Sequence, residues 1–337
     1  MPHLFVLLVV LFLPSPGLAS SSPEVGALLI RGKAAQARGE WGKAVEAYRK
    51  AIALDPRHPD GYGLLREVYG KWKGEEELVQ LLRGTKDRDP KDFISRNLLG
   101  ILYAKERLWQ EALAELREAL RIQPEDVDAW TNLGWMYSEL GRYAQARAAF
   151  LEALRLNPGH PRAYAGLAGT FAGEGEYEKA IALYKKALAQ DPGNVAYLND
   201  LGWVLYRAGK LDEAERILRQ AVERRLDNGV GATNLGWVLF RKGELQAAAN
   251  QFKKAVSLAP TSAFAYFGLA RALDALGRGR DAFTAYKEAW RLSQNDIYLL
   301  YLAGLYIRWN LWIFLLLGGV LTLVVAYFAL QASRKGV

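Results

Sequence analysis

The chain has 337 residues and no cysteine, which excludes disulfides, thiolate zinc sites and cysteine nucleophiles. Apolar residues make up 51% of it, ample for a large buried core, and its formal net charge is +8. The Lys and Arg residues are spread along the chain rather than run together. That fits a solvated helix surface, and it also suits an anionic partner: nucleic acid, an acidic peptide or lipid head groups. A thiol-free chain is compatible with oxidising and reducing compartments alike.

At the N-terminus, residues 4–13 (LFVLLVVLFL) form an apolar run that Pro14, Pro16 and Gly17 break before Ala19-Ser20. The run is too short to span a bilayer as a helix. It has the shape of a secretory signal peptide over residues 1–19, with a small-residue cleavage site. No Lys or Arg precedes it, and no Cys comes after it to carry a lipoprotein anchor. An uncleaved anchor and a later start site are the alternatives.

Beyond this run a spacing of 34 residues takes over. Pro56, Pro90, Pro124, Pro158 and Pro192 recur at that interval, and Pro260 falls two intervals after Pro192, with Leu226 between them. A fixed period of this length marks a repeat array. Eight units start near Val25, Pro59, Phe93, Val127, Pro161, Val195, Gly229 and Ala263 and fill residues 25–296. Each reads as helix, tight turn, helix. Gly39, Gly141, Gly175, Gly209, Gly243 and Gly277 supply the left-handed turn that ends the first helix. Small residues such as Gly100, Gly134, Gly202 and Gly236 in first helices, and Ala112, Ala146, Ala214 and Ala248 in second helices, mark close contacts. Large residues such as Tyr48, Phe150, Tyr184, Phe252 and Tyr286 alternate with them, and the proline ends the second helix. In unit six the proline gives way to Asp227-Asn228-Gly229, itself a turn sequence. Unit two departs most, with Arg66, Leu78 and Thr85 where small residues belong.

Unit four carries the pattern most fully: Trp130, Leu133, Gly134, Tyr137, Gly141, Tyr143, Ala146, Phe150, Ala153, Pro158. It resembles the tetratricopeptide repeat (TPR) family, whose motif runs W-x2-L-G-x2-Y, then A-x3-F, then A and P. The resemblance implies an all-α, right-handed superhelical solenoid of about eight helix-turn-helix units plus a half-unit. It also implies that positions 2, 5, 6, 9, 12 and 13 of each first helix line a concave face.

Residues 297–308 repeat the first-helix pattern once more, with Gly304 at the close-contact position. Array ends normally carry a polar outer face. This half-unit (IYLLYLAGLYI) is apolar all round, so it is expected to dock on unit eight and run directly into a spanning helix, standing the array on a bilayer. A longer, tilted membrane helix from Ile297 is the other reading. Residues 311–330 carry no charge, and as a helix they span roughly 30 Å, one hydrocarbon core. The expected transmembrane helix is 309–330, with Trp309 and Trp312 at one interface and Arg334 and Lys335 in a short cytoplasmic tail, residues 331–337. The expected location is a cell (inner) membrane, crossed once, with the array periplasmic or extracytoplasmic. A processed sorting tail is a lesser alternative, since no LPxTG-type motif precedes the run.

An enzyme is not expected. The histidines are His3, His58 and His160, far apart; no Gly-rich phosphate loop is present; and the carboxylates sit beside Lys or Arg on helix surfaces. No cofactor, metal, nucleic acid or small-molecule substrate is expected. Binding is the better candidate. Position 6 carries Asn132, Asp200 and Asn234; position 9 carries Trp135, Trp203 and Trp237; position 13 carries Arg207 and Arg241; and Asn199 stands at position 5. Amides can bond a peptide backbone, and Trp with Arg one turn later offers a flat platform beside a cation. The competing reading packs these tryptophans between neighbouring helices. The expected partners are a protein, held as a peptide or helix in the groove, and the bilayer. An assembly factor of a secretion, pilus or cytochrome-maturation machine and a regulatory protein with a cytosolic array remain alternatives.

Overall fold

The computed structural model describes residues 23–55, 64–65, 67–68, 75–88 and 91–308. The expected signal peptide, His58, Pro56, Pro90, most of the first helix of unit two, and the segment from Trp309 through Trp312, Arg334 and Lys335 to the end lie outside them. The described residues form helices and turns, with no strand. Among them no helix is long and apolar enough to cross a membrane.

The helices match the repeat. Unit one is Pro23–Ala37 and Trp41–Leu54, and the second helix of unit two is Glu75–Arg88. Units three and four are Phe93–Lys105 with Trp109–Ile122 and Val127–Glu139 with Tyr143–Leu156. Units five and six are Pro161–Gly173 with Tyr177–Gln190 and Val195–Arg207 with Leu211–Arg224. Units seven and eight are Gly229–Arg241 with Leu245–Leu258 and Ala263–Ala275 with Gly279–Ser293. A further helix covers residues 296–308. The chain divides after Pro158 into two compact bodies, one ending with unit four and one beginning with unit five.

Local chemistry explains the bounds. All six turn glycines have positive φ, between 68° and 82°. In unit three Arg107 takes the same left-handed place at φ 60°, a conformation costly for a residue with a Cβ. A second 34-residue period governs helix starts. Asp92, Asp126, Asn194, Asn228 and Ser262 each precede a first helix and accept a hydrogen bond from a backbone N–H in its first turn. The close-contact glycines are where second-helix side chains enter. A methyl group on Gly134 would lie 2.7 Å from the Phe150 ring, and one on Gly236 would lie 2.7 Å from Phe252. The core of the second body is built from these insertions, with Tyr184, Leu201, Leu218, Phe252 and Tyr286 buried together.

Helix 296–308 packs on unit eight by one face. Tyr298 stacks on Phe267 at 4.7 Å, Tyr301 stacks on Tyr286 at 5.7 Å, and Leu305 is buried. One guanidinium nitrogen of Arg308, Nη2, donates to both oxygens of the Asp274 carboxylate, at 2.8 and 2.9 Å. The opposite face, bearing Ile297, Leu300 and Ile307, is exposed.

Candidate peptide-binding face

The position-6, -9 and -13 residues separate into distinct environments. In the first body Asn132 is buried, and its Nδ2 donates to Asn97 Oδ1 of unit three at 2.9 Å. Trp135 is half-buried and meets Phe150 edge-on at 5.7 Å. Both are tied into unit packing. Asn132 in particular spends an amide N–H on the Asn97 side chain of the neighbouring first helix.

The second body brings the remaining residues to one face of units six and seven. Asn199 is buried and exchanges two hydrogen bonds with Asn228, at 3.1 and 3.0 Å, while Asn228 Oδ1 caps Gly231 N at 2.9 Å. The amide of Asn199 is therefore consumed in seating the next unit, because a buried amide left unpaired is costly. Trp237 is only 7% exposed. It stacks on Phe264 at 5.3 Å and meets Phe252 at 5.3 Å, Phe240 at 5.9 Å and Phe267 at 5.9 Å. It belongs to the core rather than to an open platform. Its Nε1 is buried without a hydrogen-bond partner.

A different set stays open. Trp203 is half-buried, stacked on Tyr206 at 5.0 Å and edge-on to Phe264 at 6.0 Å. Phe264 is itself exposed. These three rings form the accessible aromatic floor, with Trp237 behind Phe264. The cations do not pair with the tryptophans one turn earlier, because each reaches back to the preceding unit. Arg207 lies over the Tyr177 ring at 5.6 Å and donates to its hydroxyl at 3.0 Å. Arg241 lies over Tyr206 at 5.0 Å and donates to its backbone carbonyl at 3.1 Å. Both guanidinium groups are thus held in place while remaining exposed.

Asp200 and Asn234, at the same position of consecutive units, make no side-chain hydrogen bond or ion pair among the described residues. The Asp200 carboxylate reaches solvent, yet the protein crowds it, and loss of hydration pushes its pKa up to about 6. The buried Tyr184 hydroxyl is raised by its own burial and, secondarily, by the charge of Asp200. No group of His, Asp and Glu among the described residues could hold a metal ion.

Family models described as tetratricopeptide repeat match residues 25–58, 91–159, 131–195, 171–230 and 233–297. The chain belongs to the tetratricopeptide repeat family. Its TPR fold is one typical of protein–protein interaction scaffolds. Among solved structures it is similar to the Cut9–Hcn1 hetero-tetramer of the APC/C, with a TM-score of 0.68 and 20% identity over 86% of this chain. It spans 57% of that structure's chain, little more than half. A tetratricopeptide repeat protein from Parabacteroides merdae matches with a TM-score of 0.52 and 18% identity, over 84% of this chain and 98% of that one. PilF from Pseudomonas aeruginosa matches with a TM-score of 0.54 and 17% identity, over 69% and 99%. At such identities the likeness is one of fold. No curated protein matches the chain.

Two TPR residues that matter here carry weak sequence signals. Phe264 sits at position 2 of unit eight, one of the concave positions, and its aromatic character was the available clue. Asn228 was legible only as a turn residue. Its place in the 34-residue series of cap residues gives its second role.

Proposed function

We propose that this TPR protein is a non-enzymatic, membrane-anchored scaffold that holds a protein partner, as a peptide or helix, on the first-helix face of units six and seven. The observation that supports it most is the contrast at position 6. Asn132 is buried and paired, whereas Asp200 and Asn234 keep their hydrogen-bonding capacity beside the Trp203–Tyr206–Phe264 floor. A polar group that can bond a backbone, next to aromatic area and fixed cations, is the composition of an interface hot spot. Arg207 and Arg241 would steer acidic segments toward it. The anchor in this reading is the uncharged stretch 309–330, with the array outside the cytoplasm and the C-terminus inside.

The test is site-specific photo-crosslinking in cells. A photoreactive residue at Asn234 should give a discrete partner adduct, whereas one at Glu213 on the second-helix surface should not. Asp200→Arg should abolish the Asn234 adduct without changing helical content. Equal adducts from both sites, or an adduct indifferent to Asp200→Arg, would remove the groove from consideration. A reporter fused after Val337 that reads as extracytoplasmic would overturn the topology.

A further inference from the structure

In the first helices of this array the close-contact position is covered from within the same unit. A methyl group on Gly100 would come within 2.6 Å of Leu116, one on Gly134 within 2.7 Å of Phe150, and one on Gly236 within 2.7 Å of Phe252. In each case the intruding side chain belongs to the second helix. Helix 296–308 has the first-helix pattern, and Gly304 stands at the same position. A methyl group there would meet nothing within 4 Å. Around it Ile297 is 56% exposed, Leu300 71% and Ile307 50%. These four residues have the three-and-four spacing that puts them on one stripe. Leu302 and Leu305, packed on unit eight, lie on the other side. The seat that a second helix fills elsewhere is open, and its apolar stripe is bordered beside Leu300 and Gly304 by Arg271, Asp274 and Arg308.

Three occupants compete for it. Residues 311–330 could turn back as a second helix, but Leu311 would then hold the left-handed turn place, at a cost that the array, among its described residues, accepts there only at Arg107. A terminal second helix also turns most of its surface to water. That of unit eight puts Glu288 and Arg291 there, while 311–330 has no charge on any face. A second copy could pair stripe to stripe, since an apolar stripe matches its own copy, and an intermolecular disulfide at position 300 would mark that occupant. Lipid fits both facts. The open stripe runs, after only Trp309 and Asn310, into a segment uniformly apolar in the way a spanning helix is. Tyr306, exposed on the helix, and Trp309 are the residue types found at the head-group level.

We infer that the open stripe of helix 296–308 is a lipid-contacting surface. The helix lies in the bilayer interface with one face docked on unit eight and the other against acyl chains. The array is therefore seated on the membrane rather than tethered above it. This rests on the reading of 309–330 as a spanning segment.

The native chain lacks cysteine, so single-site labelling is clean. Leu300→Cys, Val320→Cys and Leu226→Cys full-length variants would each carry a bimane label and be reconstituted in phosphatidylcholine vesicles with or without brominated acyl chains. Quenching by about half or more is expected at positions 300 and 320, which contact lipid, with none at position 226 in an exposed inter-unit turn. If position 320 is quenched and position 300 behaves like position 226, the stripe does not touch lipid although the anchor stands. If position 320 is unquenched, the anchor itself fails and the inference with it. An intermolecular disulfide of Leu300→Cys, or an intramolecular one in a Gly304→Cys/Val320→Cys chain, would assign the seat to a second copy or to the folded-back segment and overturn the proposal.

Discussion

Replacing Trp237 separates core from groove most sharply. The indole is 7% exposed and touches four aromatic rings. A large aromatic side chain buries about 150–250 Å², worth about 4–6 kcal/mol at about 25 cal/mol per Å². Alanine would retain a small part of that area. Removing the unpartnered indole N–H would return about 1–3 kcal/mol of desolvation. The net expectation for Trp237→Ala is a loss of about 3 kcal/mol, at the lower end of large aromatic truncations in cores. Trp237→Phe keeps a ring against Phe264 and discards the stranded N–H, so it should stay within about 1 kcal/mol of the parent. Trp203→Ala, at a half-buried ring, should cost less stability yet remove the partner adduct. Urea unfolding of the full chain in detergent, monitored by circular dichroism, reads these differences. Array proteins unfold in sections, so the transition assigned to the second body is the one to fit. A Trp237→Ala loss below about 1 kcal/mol would refute the core assignment, since no buried indole is that cheap to remove. A Trp237→Phe loss equal to that of alanine would show that the N–H has a partner after all.

The same contacts carry further expectations. Asp200 has a folded pKa raised to about 6 by desolvation, so its protonated form is favoured in the folded state. Its contribution to stability is therefore largest near and below about pH 4 and declines as pH rises through about 6, and Asp200→Asn should flatten that decline in urea midpoints taken across the window. Asn199→Ala removes one side of the reciprocal pair with Asn228 and should cost about 1–3 kcal/mol in the same unfolding assay. Gly236→Ala drives a methyl group into Phe252 and should destabilise by about 1–3 kcal/mol. Gly304→Ala, at the equivalent but open position, should stabilise by up to about 1 kcal/mol, because alanine is the better helix former. Similar effects at the two glycines would contradict the open seat.

The array was legible in the chain because stacking identical units forces the same residue types into the same places. Gly134 and Phe150, or Gly236 and Phe252, recur at 34 residues since each pair is one close contact repeated. Turn glycines and cap residues are equally local: φ and a first-turn N–H depend on a few neighbours, so sequence alone determines them. The fate of side chains that leave the consensus was not local. Trp203 and Trp237 share the motif N/D-L-G-W, yet one stays half-open and the other is buried, because Phe264 and Phe267 of unit eight close over Trp237. Asn132 and Asn234 share a position, yet among the described residues only Asn132 meets a hydrogen-bond partner, supplied by Asn97 of the preceding unit. Arg207 and Arg241 choose rings of the preceding unit over the tryptophans one turn away. A repeat fixes what each unit does for itself. Which polar and aromatic groups are left for a ligand depends on the non-identical neighbour that stacks against them, and only the tertiary structure decides that.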